Sequence, residues 1–186
     1  MKKNVLIVSV LLCIGFYQAS AQVVPCDPVP GTHYQDHVLN NYVGTWKWTN
    51  GTDTFTIELA KRKRDLGDYS FDVLSGGYRF VRNGVEVINT LNDVNIANIN
   101  APGGPRASLQ SLSRNGNRIF FRFIDRGKLT NRGYKRGRVI AVITPVGNTY
   151  SMTWSLVGAG VEVLFPGDTP TPVGWSVPTD VVLIRQ

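Results

Sequence analysis

Hydrophobic and polar residues alternate along most of the chain, and the alternation is interrupted by short turns that contain glycine and asparagine. The segment WKWTNGTDTFTIEL (residues 46–59) places apolar side chains at every second position on both sides of Asn50-Gly51. A period of two is typical of β-strands that bury one face. Asn-Gly favours a type I′ turn, because both residues tolerate positive φ. The segment therefore predicts a β-hairpin.

The same pattern recurs three times at a nearly constant interval. Turns are predicted at Asn83-Gly84, Asn115-Gly116 and Gly147-Asn148, so successive turns lie 32 or 33 residues apart. Two strands and their two connections occupy about that length. The spacing predicts an up-and-down meander whose four tight turns share one end. The longer connections at the other end are then residues 61–68, 92–106, 126–136 and 158 onward.

These elements predict an all-β fold, a single up-and-down antiparallel meander of 8 to 10 strands that closes into a barrel. Eight strands end near Leu156, PTDVVLIRQ (178–186) adds another, and VEVLF (161–165) is a further candidate. Closure removes the exposed edges of such a meander. An open sandwich is the alternative. A short helical segment is expected within residues 33–42.

The N-terminus has the pattern of a signal peptide. Two lysines precede an apolar run of 13 residues, Val5–Tyr17, and Ala19-Ser20-Ala21 is an A-x-A cleavage site. We expect export to the periplasm or medium, with residues 1–21 removed, an extension over 22–42 and a barrel domain over 43–186. Cys26 is then the last remaining cysteine, which excludes an internal disulfide in the mature chain.

The start of the first long strand carries a resemblance. Tyr42-Val43-Gly44-Thr45-Trp46 resembles the G-x-W motif that opens the first strand of lipocalins and related calycin barrels. In that family the tryptophan packs beneath an arginine of the last barrel strand, so the resemblance implies Arg185 as the partner of Trp46. A tight turn at Asn50-Gly51 replaces the long loop that lipocalins usually have there. The mature chain also resembles a family of small exported bacterial proteins of unassigned function, through VGTWKWTNGTDTFTIEL and PTDVVLIR.

Cations collect in the longer predicted connections. The whole chain has a net charge of +7, and removal of Lys2 and Lys3 leaves +5. The single end predicted for these connections would bring their cations into one basic rim. A rim of this kind attracts anionic partners, whereas a solvated loop end is the alternative. The rim residues are Lys61, Arg62, Lys63, Arg64, Arg106, Arg126, Lys128, Arg132, Lys135 and Arg136.

One face of each strand should line the barrel interior. Small eight-stranded barrels are filled by these side chains or hold one small ligand, and the alternation does not separate the two cases. The candidate lining residues, for a cavity or for a core, are Trp46, Trp48, Phe55, Ile57, Phe71, Phe121, Phe123 and Trp154.

Chemistry-bearing motifs are sparse. His33 and His37 have helical i, i+4 spacing with Asp36 between them, but a metal site needs three or four ligands and the chain has 2 histidines. No hydrolase, phosphate-loop or zinc-protease motif is found. Asp72 and Asp125 would form a catalytic pair only if their strands brought them together. We therefore expect no enzyme activity, no metal and no cofactor.

Nucleic-acid binding is not expected either. NRIFFRFIDRG (117–127) mixes arginine with aromatics, as base-stacking surfaces do. Alternation, however, places Phe121 and Phe123 on one face and Arg122 on the other, as in an ordinary strand. The sequence favours a non-catalytic binder of a small apolar or amphiphilic anion. The alternative is a filled barrel that contacts an envelope component or partner protein through its basic rim.

Overall fold

The computed structural model describes residues 27–96, 106–130, 133–158, 170 and 172–186. Two short 3₁₀-helices, His37–Tyr42 and Leu91–Asn95, accompany the strands in these ranges. The first falls within the segment predicted to be helical. The described strands are β1 (His33–Tyr34), β2 (Gly44–Asn50), β3 (Asp53–Asp65), β4 (Ser70–Arg82), β5 (Val85–Asn89), β6 (Leu109–Asn115), β7 (Arg118–Thr130), β8 (Gly133–Val146), β9 (Thr149–Gly158) and β10 (Asp180–Arg185).

Eight of these strands form a closed antiparallel barrel in the order β4-β3-β2-β10-β9-β8-β7-β6, and β6 pairs with β4 to complete the circle. This confirms the predicted all-β fold, and closure settles the choice between barrel and open sandwich. The strands β1 and β5 are additional. The candidate strand at 161–165 and the predicted signal peptide lie outside the described residues.

A single edge of β4 is shared by β5 and β6. Both run antiparallel to β4: Arg79 pairs with Asn89 in β5, and Gly76 pairs with Leu109 in β6. The two strands therefore follow each other along β4 and together take the place of one barrel strand. The chain leaves the edge of β4 after Asn89 and rejoins it at Leu109, and we call the described residues between these points, 90–96 and 106–108, the excursion. Its first residue is bonded to β4, because Thr90 N donates to Tyr78 O at 2.7 Å.

This interruption overturns the prediction that all four tight turns share one end. The prediction counted β5 and β6 as two barrel strands, whereas together they occupy one strand position. Every later strand therefore runs in the direction opposite to the predicted one. The turns at 51–52 and 83–84 lie at what we call the first end of the barrel, because β2 and β4 run the same way. The turns at 116–117 and 147–148 lie at the opposite, second end, because β6 and β8 run against β4.

The turns also differ from the predicted type, with one exception. Asn83 and Gly84 both have positive φ (52° and 76°), as a type I′ turn requires. The turn after β2 is instead Gly51-Thr52, where the glycine alone has positive φ (58°), as in a type II′ turn. Asn50 is the last residue of β2, so the predicted turn is shifted by one position.

Candidate functional site

The barrel interior is filled by aromatic side chains. Trp154 lies at its centre, with ring centroids 5.2 Å from Phe55 and 5.9 Å from Phe123, and Tyr78 lies 5.0 Å from Phe123. These four side chains are at most 1% exposed. Alternation along the strands brings them inward, and their packing leaves the interior occupied by the chain itself.

Most of the predicted lining residues belong to this core. Trp46, Phe55, Ile57, Phe121, Phe123 and Trp154 are buried members of it, and Trp48 packs against it from a partly buried position. Phe71 lies apart from it. Its ring stacks on Tyr69 and lies 5.8 Å from the Arg64 guanidinium.

Each end of the barrel is covered by a segment of the chain. At the second end the 3₁₀-helix His37–Tyr42 buries Leu39 and Tyr42, and the Tyr42 hydroxyl donates to Asn117 O in the β6–β7 turn. At the first end Trp175 packs on Phe123, with ring centroids 5.9 Å apart. These segments cover part of each end of the barrel.

A buried carboxylate anchors the covering segment at the first end. Asp125 is 0% exposed, and it accepts hydrogen bonds from Ser176 N at 2.8 Å, from Gly127 N at 3.0 Å and from the Ser176 hydroxyl. Tyr78 lies beside it. Burial and the Asp125 charge raise the pKa of Tyr78 well above its usual value, so this phenol stays protonated.

The two aspartates considered as a catalytic pair do not meet. Asp72 lies near the start of β4 and Asp125 toward the end of β7, and these strands run in the same direction. Asp72 instead accepts from His33 Nε2 at 2.9 Å and binds Lys61 Nζ at 3.1 Å. The described residues contain no cluster of three or more side chains suited to a metal ion.

The G-x-W motif forms the contact implied by the lipocalin resemblance. Arg185 in β10 pairs with Trp46 in β2, and its guanidinium lies 5.9 Å from the centroid of the indole. Arg185 Nη2 also donates to Val43 O at 2.8 Å. Gly44 has a φ of 118°, a conformation that favours glycine and lets the chain turn into β2 beneath this arginine.

The residues of the predicted basic rim do not all lie at one end of the barrel. Residues 61–64 belong to β3 rather than to a loop, and they lie toward the second end. The other described rim residues lie near the first end, because β7 runs opposite to β3. These are Arg106 just before β6, Arg126 and Lys128 in β7, and Lys135 and Arg136 in β8. Arg132 lies outside the described residues.

Some of these cations have structural partners. Lys61 binds Asp72. Lys135 Nζ donates to Pro172 O and Gly174 O, each at 2.8 Å, and lies 4.5 Å from the centroid of the Trp175 ring. Arg126 donates to Arg106 O at 2.5 Å and lies 4.0 Å from Asp93. These contacts hold the barrel ends and the excursion, so they leave the remaining arginines as the candidates for binding.

Four of the remaining rim residues lie with two further strand arginines on the side wall of the barrel, in what we call the outer arginine cluster. A row of paired residues crosses four strands here: Ser75 in β4 faces Gln110 in β6, Gln110 faces Arg122 in β7, and Arg122 faces Arg138 in β8. Directly paired residues share one face of a sheet. The cluster comprises Arg62, Arg64, Arg106, Arg122, Arg136 and Arg138.

Part of this outer wall is buried although it faces away from the core. Ser75 is 0% exposed and Gln110 6% exposed. The 3₁₀-helix Leu91–Asn95, which belongs to the excursion, packs on β3 and β4. Arg62 Nη2 donates to Val94 O in this helix at 2.5 Å. The excursion thus shelters one side of the outer arginine cluster.

Four buried polar atoms of this region have no hydrogen-bond partner within the described residues. They are the Nε atoms of Arg62, Arg64 and Arg122 and the hydroxyl of Ser75. Such atoms are rare in folded proteins, because an unpaired buried donor carries its full desolvation cost. Arg122 uses a different nitrogen, Nη2, to donate to Gln110 Oε1.

The charges of the cluster are not balanced by carboxylates. No salt bridge within the described ranges joins any of its six arginines to an acid. Burial lowers the pKa of Arg122, and the charges of Arg106, Arg64 and Arg136 lower it further. The charges of these three arginines therefore repel the charge of Arg122. An anion placed among them would relieve that repulsion.

The sequence signal for this cluster was present in the strands. Arg62-x-Arg64 and Arg136-x-Arg138 place both arginines of each pair on one face of a strand, since side chains alternate. Charge density had instead assigned Arg62, Arg64 and Arg136 to loops. The meeting of Arg62 and Arg64 with Arg122 depends on the β4–β6 pairing that closes the barrel, which short-range patterns do not encode.

Comparison with known proteins gives a family and no closer relative. The model of a family of unknown function (DUF6705) matches residues 1–186. No curated protein matches the chain, and no solved structure matches it. Within the described residues, no helix combines the length and the apolar character that a membrane span requires.

Proposed function

The chain belongs to this family of unknown function, and we propose that it is an exported, non-catalytic interaction protein with a filled core. It acts through its outer surface on an anionic component of the cell envelope. The observation that carries the proposal is the occupied interior, in which Trp154 contacts both Phe55 and Phe123 where a lipocalin-like ligand would lie. The covered ends of the barrel add to this argument.

The surface supplies the second argument. Three arginine Nε atoms of the outer wall are buried without a partner, and no described carboxylate forms a salt bridge with the outer arginine cluster. Surface cations that only maintain solubility are usually solvated or paired with acids. Uncompensated clustered cations raise the local concentration of anions and guide them to the surface.

The experiment that tests the proposal compares interior and surface binding in the mature protein. Native mass spectrometry of protein purified from its own envelope fraction or medium should give the apo mass. Fatty acids should leave the tryptophan fluorescence unchanged, because Trp46 and Trp154 have no room for a ligand beside them. Phosphatidylglycerol vesicles should bind the protein at low salt, and phosphatidylcholine vesicles should not.

A control variant separates the outer arginine cluster from general basicity. Arg64→Gln/Arg138→Gln removes two cluster charges, and Lys47→Gln/Arg118→Gln removes two exposed charges elsewhere. The first double variant should lose most vesicle binding, and the second should retain most of it. A co-purifying lipid that is released on denaturation would contradict the filled-core proposal, as would equal binding by both double variants.

A further inference from the structure

We infer that the outer arginine cluster contains a specific site for a tetrahedral oxyanion, a phosphoryl or sulfo group, centred between Arg122 and Ser75. This inference rests on the proposed function, because it names the chemical group that the outer surface would recognise. The site lies on the outside of the barrel wall, beside the excursion, and not in the interior.

The unpaired donors define the position of the site. Ser75 and Arg122 both face Gln110 from opposite sides, one in β4 and the other in β7. The Ser75 hydroxyl and Arg122 Nε are buried and have no partner within the described residues. Gln110 Oε1 already accepts from Arg122 Nη2, which fixes one side of the guanidinium and leaves Nε free to donate.

Two more donors approach from β3. The Nε atoms of Arg62 and Arg64 are also buried and unpaired, and Arg62 is held in place through its Nη2 bond to Val94 O. Arginine N–H groups in a fixed fork match the oxygen atoms of a phosphoryl or sulfo group. A hydroxyl and several guanidinium donors together fit an acceptor with several oxygens better than they fit a single carboxylate.

The charge of the surroundings favours an anion over a neutral group. Arg64, Arg106 and Arg136 lie close enough to Arg122 for their charges to disfavour its protonated form, and burial adds to this effect. Arg138 is paired directly with Arg122. On the same outer wall, Asp93 is engaged by Ser108 N at 2.8 Å and by the Ser108 hydroxyl at 2.5 Å. Glu58 forms no salt bridge with the cluster.

The arrangement has a cost that a structural role would not explain. Buried unpaired donors and neighbouring like charges both destabilise the folded state. Mutual repulsion among guanidinium groups without a carboxylate contributes nothing to folding. An oxyanion would satisfy the free N–H and O–H groups and offset the repulsion at once.

Inorganic phosphate and pyrophosphate are the probes for the site. Calorimetric titration of the mature protein in an anion-poor buffer should give saturable binding. Arg122→Gln should weaken it at least about tenfold, since hydrogen bonds to charged groups are worth roughly 1.5–3 kcal/mol. Ser75→Ala should weaken it by about twofold to tenfold, the range for a single hydrogen bond.

Ser75→Ala also guards against a folding artefact. Its hydroxyl has no partner within the described residues, so the variant should unfold at the same temperature as the wild type or higher when no anion is present. Ser113→Ala removes an exposed hydroxyl from β6. This matched control should leave both stability and phosphate affinity unchanged.

Vesicles and sulfate identify the source of the oxyanion. The oxyanion is a lipid phosphate if the protein binds phosphatidylglycerol vesicles, if Arg122→Gln abolishes this binding and if pyrophosphate competes with it. Phosphate or sulfate binding without vesicle binding assigns a free or carbohydrate-borne oxyanion. Either result supports the site.

Three results overturn the inference. The first is no saturable binding of any small oxyanion, and the second is equal affinity in the wild type and Arg122→Gln. The third is a loss of affinity in the Lys47→Gln/Arg118→Gln double variant that equals the loss in Arg122→Gln. If anionic vesicles still bind the wild type and Arg122→Gln equally well, the site is wrong although the surface-binding function stands. If neither vesicles nor small anions bind, both proposals are wrong.

Discussion

Arg185 in the last strand of the barrel lies against the indole of Trp46 in the first long strand, 5.9 Å from the ring centroid. The same side chain donates from Nη2 to Val43 O at 2.8 Å, one residue before β2 begins. A single arginine thus joins the two chain termini of the barrel across the β2–β10 pairing. Trp46 is held from the other side, because its Nε1 donates to Tyr42 O at 2.8 Å.

Arg185→Ala should destabilise the protein by about 1–2 kcal/mol, through loss of one charge-assisted hydrogen bond and a cation–π contact. Arg185→Lys keeps the charge and loses the planar fork, so its loss should be intermediate. Urea unfolding followed by circular dichroism measures both changes. Arg118→Ala, at an exposed position, is the control, and a loss equal to that of Arg185→Ala would contradict the role of the pair.

Asp125→Asn should destabilise the covering segment at the first end by about 2–3 kcal/mol. The amide replaces one carboxylate oxygen by a donor and leaves either Ser176 N or Gly127 N unpaired in a buried site. Ser176→Ala removes one donor and keeps the carboxylate, so about 1 kcal/mol is expected. Urea unfolding gives the two values, and near-ultraviolet circular dichroism reports on Trp175. The reverse order of losses would contradict this account.

Asp72 should make stability depend on acidic pH. Burial raises its pKa, but hydrogen bonds from Lys61, Asp36 N and His33 together outweigh burial, so its pKa lies below the ordinary value of 3.8. A lowered pKa means that the carboxylate stabilises the fold above pH 3.8, and that this contribution is lost as the pH falls through the folded-state pKa.

The stability difference between the wild type and Asp72→Asn should therefore shrink steadily as the pH falls below about 4. Urea unfolding at several values between pH 7 and pH 3 measures it. Asp68→Asn changes an exposed loop carboxylate and serves as the control. A difference between the wild type and Asp72→Asn that stays constant across this range would exclude the linkage.

Tyr42 should make stability depend on alkaline pH. Burial raises its pKa from 10.0 to about 12. A raised pKa means that its contribution is complete below pH 10 and is lost as the pH rises toward 12. Tyr42→Phe should remove this loss and should cost about 1 kcal/mol at neutral pH, since Asn117 O loses its donor.

Urea unfolding at neutral and alkaline pH tests both parts of the Tyr42 prediction. Tyr134→Phe alters a tyrosine that is 39% exposed and should not change stability at neutral pH. An alkaline loss of stability that persists in Tyr42→Phe would assign the titration to another group.

Gly77→Ala should be among the most disruptive single substitutions in the barrel. A Cβ at this position would lie 1.8 Å from Thr90 O, where the chain leaves the edge of β4 to form the excursion. Overpacking against backbone typically costs about 1–3 kcal/mol or more. Gly158→Ala is the matched control, because no described residue has an atom within 4 Å of its Cβ position. If the two variants unfolded at the same temperature, the close approach of Thr90 O to Gly77 would be contradicted.

Strand identity and hairpin position were readable from local pattern, because a side-chain period of two and a short turn are properties of neighbouring residues. Leu59, Phe80 and Trp154 each face inward on such alternation, and all three are buried. The pattern did not fix which two residues form the turn, since a glycine with positive φ serves equally well as the first or second turn residue. Gly51 took the first position and moved Asn50 into the strand.

The sequence by itself determined that this chain forms antiparallel hairpins with an apolar inner face, and it indicated the Trp46–Arg185 contact through a motif. Only the tertiary structure decided that β5 and β6 replace one strand, which end each later turn occupies, and that Arg122 lies among arginines from other strands. The physical reason is range: periodicity is fixed by adjacent residues, whereas the pairing of Gly76 with Leu109 depends on the closure of the whole barrel.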